Sequence, residues 1–141
     1  MTLTRIYIPL NASGLRKLDT DRALGGAPFL AHAVTEAVRD SAPTAGQDEW
    51  EYAALNDAAQ SSVSLLPSGE SRRIVAAADV TPELVGPATA ADATVESAVS
   101  ISDSVALNRI ASFHVDADDA SEDDDLLWYD VTELSAILAM L

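Results

Sequence analysis

Apolar residues fall in short runs along this chain, and their spacing switches between a period of two and a period near 3.6. The first run, TRIYIPL from Thr4, is rich in β-branched residues and reaches Pro9, which cannot donate to a ladder; it predicts an N-terminal strand. Asn11 or Ser13 can cap a helix carrying Leu15, Leu18 and Leu24 and closing at Gly25-Gly26. PFLAHAV predicts a second strand, and Thr35 is placed to cap a short helix over EAVRDSA that Pro43 ends. In GQDEWEYAALNDAAQSSVSLL, the residues Tyr52, Leu55, Ala59, Val63 and Leu66 recur at steps of three and four. Asp48, Glu49 and Glu51 stand at its positive end, so a long helix is predicted with that stripe inward.

The second half reads mainly as strands. RRIVAAADV lies between the turn at Pro67–Gly69 and Thr81-Pro82, and its apolar middle suits a strand buried on both faces. Residues 82–93, with two prolines and a glycine, read as a connection. TVESAVSIS alternates, with Val95, Ser97, Val99 and Ile101 on one side. In NRIASFHVDAD, Arg109, Ala111, Phe113 and Val115 oppose Ile110, Ser112, His114 and Asp116. LLWY is a short strand, and DVTELSAILAML is a helix with Asp130 and Glu133 at capping-box spacing and Leu134, Ile137, Leu138 and Leu141 as its apolar stripe.

The order β-α-β-α-α-β-β-β-β-α mixes hairpins with crossovers. It predicts an α+β fold: a single-layer mixed, mostly antiparallel sheet with helices packed mainly on one face. Residues 1–141 form one domain on this reading, with an acidic loop at about 116–125. Length supports a sizeable core, and because only 5% of residues are aromatic that core should be rich in small residues, anchored by the few large rings.

Charge narrows the partners. The formal net charge is −15, and seven of the eight basic residues precede position 74, leaving only Arg109 after it. Such a surface repels phosphate backbones and anionic lipid, so direct binding of nucleic acid or membrane is not expected, whereas a basic protein partner is compatible. No cysteine is present, which excludes thiolate chemistry, disulfides and cysteine-ligated metals. The start lacks signal-peptide character and no apolar run reaches membrane-spanning length, so a cytoplasmic protein is expected, as monomer or homodimer.

Several segments together, RIYIP, AHAVTEAVRD, EYAALNDAAQSS, RRIVAAADV, IASFHVD and LLWYDVTEL, resemble an uncharacterised actinobacterial family of small proteins, a domain of unknown function. The resemblance runs over nearly the whole chain and implies a bacterial cytosolic origin but no activity, cofactor or substrate. Relatives tend to carry Ala-Thr-Gln-Glu after Leu-Trp-Tyr; here the residues are Asp130-Val131-Thr132-Glu133, which weakens any role resting on the residue after the aromatic pair.

Candidate chemistry is sparse. The acidic run contains Asp116, Asp118, Asp119, Glu122, Asp123, Asp124 and Asp125, but from Asp116 the fifth, sixth and twelfth positions of a calcium loop would be Ala120, Ser121 and Leu127, so an EF-hand is excluded. His114 and Asp116 form an H-x-D pair about 7 Å apart along one strand face, and His32 could complete a metal site if its strand lies adjacent; this supports the alternative of a small metal-dependent hydrolase. Arg72, Arg73 and Arg5 could bind an anion if their strand ends meet, although pairing with nearby acids is the simpler expectation. No G-x-S-x-G elbow, P-loop or dinucleotide fingerprint occurs, and no cofactor is expected. Trp128 and Tyr129, with Asp118, Asp119, Asp123, Asp124 and Asp125, could form a partner surface, against the competing expectation that alternation buries one ring and leaves the other at the boundary. The reading that composition favours is a non-enzymatic interaction or regulatory module that binds a basic partner. Mutual repulsion among the acids predicts an extended, mobile loop.

Overall fold

A computed structural model describes residues 2–141. The elements are β1 (Thr4–Leu10), α1 (Ala12–Asp21), β2 (Ala23–Leu24), β3 (Phe29–Ala33), α2 (Glu36–Ser41), α3 (Gln47–Val63), β4 (Ile74–Val80), β5 (Val85–Pro87), β6 (Ala98–Ile101), β7 (Val105–Ala106), β8 (Ile110–Val115), β9 (Leu127–Asp130) and α4 (Leu134–Met140). Seven strands form one sheet in the order β5-β6-β3-β1-β4-β8-β9, with every neighbouring pair antiparallel; β2 and β7 form a separate two-stranded ribbon.

Alternation along the central strands divides the core in two. Ile6, Ile8 and Leu10 of β1 point the same way as Ile74, Ala76 and Ala78 of β4, and they meet Leu15 and Leu18 of α1 and Leu134 and Ile137 of α4. Tyr7, Val75 and Ala77 point the other way and meet Ala54, Ala58 and Ala59 of α3. The α+β class is as expected; α1 and α4 occupy one face, and α3 adds cover to the other. β4 is buried on both faces, with every side chain from Ile74 to Ala78 fully inaccessible.

Local chemistry explains the element ends, with departures from the pattern-based reading. Asn11 caps α1 by accepting from the Gly14 amide, but the helix closes at Arg22 in the left-handed region, not at Gly25-Gly26, so Leu24 is buried from β2 instead. Thr35 caps α2 through the Val38 amide. Asp130 and Glu133 form a reciprocal capping box, which starts a short 3-10 turn leading into α4.

The inward stripe of α3 differs from the expected one. Tyr52 and Val63 are about half exposed, and Ala54, Ala58, Ala59 and Ser62 are buried. Small side chains win because the facing strands present Ala77 and Val75, so the helix can approach closely and recover dispersion contact that Leu or Tyr would prevent. The register of β8 is also shifted by a bulge at Ala111: Ile110 pairs with Ala78 and Phe113 with Ala76, which puts Ile110 and Phe113 on the same face, not on opposite ones. Residues 82–93 hold a 3-10 turn and the edge strand β5 as well as a connection.

Candidate functional site

Three clusters of polar side chains are organised by the sheet. The first is built on Arg73, immediately before β4, and Asp116, immediately after β8. Because β4 and β8 are antiparallel neighbours, the entry to one lies beside the exit of the other, and Ile74 pairs with Val115. Both side chains are almost fully buried, at 5% exposure each, with a bidentate ion pair: Arg73 Nε donates to Asp116 Oδ2 and Nη2 to Oδ1, both at 2.8 Å. The remaining guanidinium hydrogens go to the backbone carbonyls of Glu122 at 3.0 Å, Ser121 at 3.1 Å and Asp124 at 2.7 Å. The Asp116 carboxylate also accepts from the Arg73 amide. The pair raises the Arg73 pKa above its ordinary value.

Arg73 is thus the hub around which the acidic loop folds. Turns replace the expected extended conformation: Ser121 N–H donates to the Asp124 carboxylate, and Tyr52 of α3 donates to Asp125 at 2.6 Å. Repulsion among the exposed carboxylates acts in water, where it is screened, while the guanidinium acts from the dry side of the loop on three carbonyls at once.

The second cluster is the outer end of the sheet on the α3 face. His114 and Trp128 are cross-strand partners, and Ser112, two residues before His114, holds its Nε2 at 3.1 Å. Burial lowers the His114 pKa, and the charge of Arg5 lowers it further. Arg5 makes a two-point pair with Asp79 on β4, at 2.7 and 3.0 Å. Trp128 is 61% exposed and Leu127 47%, while Tyr129 packs on the core under α4. β9 is the last strand of the sheet, so its outer backbone edge faces away from β8.

The third cluster surrounds His32, in the middle of the opposite half of the sheet. Its imidazole is 1% exposed, and its nitrogens contact Ser97 Oγ (Nδ1, 2.8 Å) and Ser61 Oγ (Nε2, 2.8 Å). Ser97 donates in turn to Asp57 Oδ2 at 2.7 Å. Burial lowers the His32 pKa, and Asp57 opposes that shift.

The sequence-derived site residues are therefore spread across the molecule. His32 lies on β3 and His114 on β8, with β1 and β4 between them, so three strand spacings, roughly 14 Å, separate them. Asp116 is consumed by Arg73. The expected ligand set of His114, Asp116 and His32 is not brought together, and among the described residues no group of three or more His, Asp or Glu side chains is arranged to hold a metal. Nor do the arginines form an anion site. Arg5 is held by Asp79, Arg73 by Asp116, and Arg72 pairs with Asp118 and donates to the Met140 carbonyl. The aromatic pair splits as alternation requires, with Tyr129 inward and Trp128 outward beside the acidic loop.

Residues 4–124 match a family of unknown function, DUF6912. The chain belongs to that family. The match takes in the Arg73–Asp116 clasp and the His32 cluster and stops before β9 and α4. No curated protein and no solved structure matches the chain. No helix among the described residues is long and apolar enough to cross a membrane.

Proposed function

We propose that this protein is an interaction module that takes an extended, basic segment of a protein partner along β9. The observation that carries the reading is Trp128, a large ring 61% exposed on an edge strand, more exposed than Tyr52 at 50%, whereas Tyr7 and Phe113 are buried. Exposed Trp is costly to leave in water and is among the strongest anchors of binding surfaces.

Two further features support it. The sheet has two edges, and they differ: β5 is three residues long, contains Gly86 and ends in Pro87, which blunts it, whereas β9 is free of proline. An added strand on β9 would gain main-chain hydrogen bonds, with Leu127 and Trp128 giving side-chain contacts. In sequence, acids also precede and end the strand, Asp119, Asp123 and Asp125 before it and Asp130 as its last residue, on a chain of net charge −15. Lysine or arginine in the partner would meet complementary potential that speeds encounter and sets orientation.

The test uses a fluorescein-labelled twelve-residue peptide of alternating Lys and Val, with a Glu–Val peptide as control, followed by fluorescence anisotropy. Saturable binding of the Lys peptide alone is expected, weakening as salt rises from 20 to 300 mM, with Trp128→Ala costing about tenfold in Kd, or roughly 1.4 kcal/mol. Equal affinity of Trp128→Ala and the parent, or equal binding of the Glu peptide, would contradict the reading. Concentration-dependent dimers in sedimentation, abolished by Trp128→Ala, would show instead that β9 pairs with a second copy.

A further inference from the structure

The His32 cluster is unexplained by partner binding, and its hydrogen-bond directions can be worked out from Asp57. A carboxylate has no proton to give, so Ser97 Oγ–H donates to Asp57 and its one proton is spent. Ser97 Oγ must then accept from His32, which places the imidazole hydrogen on Nδ1. The neutral ring, favoured by burial, leaves a lone pair on Nε2, and its partner there is the hydroxyl of Ser61. The chain of donors therefore runs in one direction, Ser61 to His32 to Ser97 to Asp57, the order in which a serine is activated by a base that a carboxylate orients.

Ser61 is the end of that chain that reaches open space. It lies in the last turn of α3, is only half-buried, and lines a cavity of about 240 Å³ walled by Ile8, Leu24, Phe29, Leu30 and Leu65. This cavity exists because β1 and β3 pair only at Ile6–Ala33 and Tyr7–His32; beyond that point β1 follows β4 and β3 follows β6. A nucleophile at the wall of a small cavity lined mainly by apolar side chains suits a carboxylic ester whose acyl group is short and apolar.

We propose that Ser61 is the nucleophile of a second activity, the hydrolysis of short-chain esters, with His32 as general base and acid and with Ser97 and Asp57 as positioning residues. Ser61 Oγ attacks the ester carbonyl carbon as its proton passes to His32 Nε2. The C–O bond to the alcohol breaks, and that alcohol leaves with the same proton. Water then adds to the acyl-serine, gives one proton to Nε2, and the carboxylic acid departs as Ser61 recovers its hydrogen from His32. The arrangement differs from an α/β-hydrolase elbow in resting on a helix end and in placing a serine between base and carboxylate.

The experiment treats the full-length protein at pH 8 with an alkyl fluorophosphonate, locates the adduct by tandem mass spectrometry, and follows p-nitrophenol release from p-nitrophenyl butyrate. Labelling of Ser61 and a burst of one p-nitrophenol per chain are expected. Ser61→Ala, whose fold is checked by circular dichroism, should lose both, and His32→Gln should slow labelling at least a hundredfold. Ser97→Ala should retain labelling with a changed pH profile, a readout that loss of packing alone would not move. A parent protein in which Ser61 stays unlabelled and no burst occurs overturns the proposal, as does a folded His32→Gln labelled at the parent rate.

Discussion

Arg73 shows what one side chain does when it has no water to turn to. Its hydrogens are divided between one carboxylate and three carbonyls of the loop it gathers, so removing it leaves Asp116 charged, buried and unpaired. Arg73→Ala is expected to cost about 3–5 kcal/mol in urea denaturation, and Arg73→Lys nearly as much because an ammonium cannot fork onto the pair. Replacing both members by Met and Leu should recover much of that loss, since a well-packed apolar pair has no charge to strand. Arg73 was hard to read from sequence because Arg72 beside it has the same chemistry and its partner lies 43 residues away. Only the register of β4 on β8 distinguishes them. His32 and His114 act in a second way. Burial holds both below the ordinary 6.5, so between the lowered values and 6.5 the unfolded chain binds more protons than the folded one. Stability should therefore be level in their contribution above about 6.5 and fall as pH drops through that window. Urea midpoints from pH 8 to 5 check this; a His32→Asn, His114→Asn protein should lose part of the slope if it folds, and a parent midpoint rising toward pH 5 would contradict it.

At the scale of elements, strands and caps were legible because they depend on neighbours in sequence. TRIYIPL, the apolar middle of RRIVAAADV and the Asp130–Glu133 box needed nothing beyond local chemistry. The long helix was visible, but its inward face only in part: Ala59 is buried and Leu55 packs on the core as expected, while Tyr52 and Val63 are not. A stripe chosen by hydrophobicity selects Tyr52 and Val63, whereas the sheet selects whichever side is small enough to come close, and that depends on Ala77 and Val75 in a strand not yet known to face it. The two faces predict opposite responses. Ala58→Leu should lose about 1–3 kcal/mol in thermal or urea unfolding through overpacking, whereas Val63→Ala should change stability by less than about 0.5 kcal/mol. Equal losses would mean that the expected stripe does carry packing. The Ala111 bulge belongs to the same class, since one extra residue reverses which side chains share a face and leaves no trace in composition. The Ser61–His32–Ser97–Asp57 relay was likewise hidden. Asp57 and Ser61 stand four apart on a helix, a spacing that does put them on one side, but nothing in the sequence says that β3 and the turn before β6 face that side.

For the molecule as a whole, charge and edges decide what can approach. A net charge of −15 repels anionic partners, and the proposed basic segment is the chemistry that charge would favour. The acidic loop is held from beneath by Arg73, so on the proposed reading its carboxylates would meet a basic segment already ordered. One end of the sheet is closed by Pro87 and the other is open along β9, with Trp128 beside it. The reading therefore places binding at one end of the molecule and leaves the other end, near Ser61, unaffected. Mapping amide shifts in two-dimensional NMR during titration with the Lys–Val peptide measures this directly. The account predicts changes concentrated at residues 117–130 and the Trp128 indole, with β5, β6 and the Ser61 region silent; changes centred on β5, or none along β9 at saturating peptide, would contradict it.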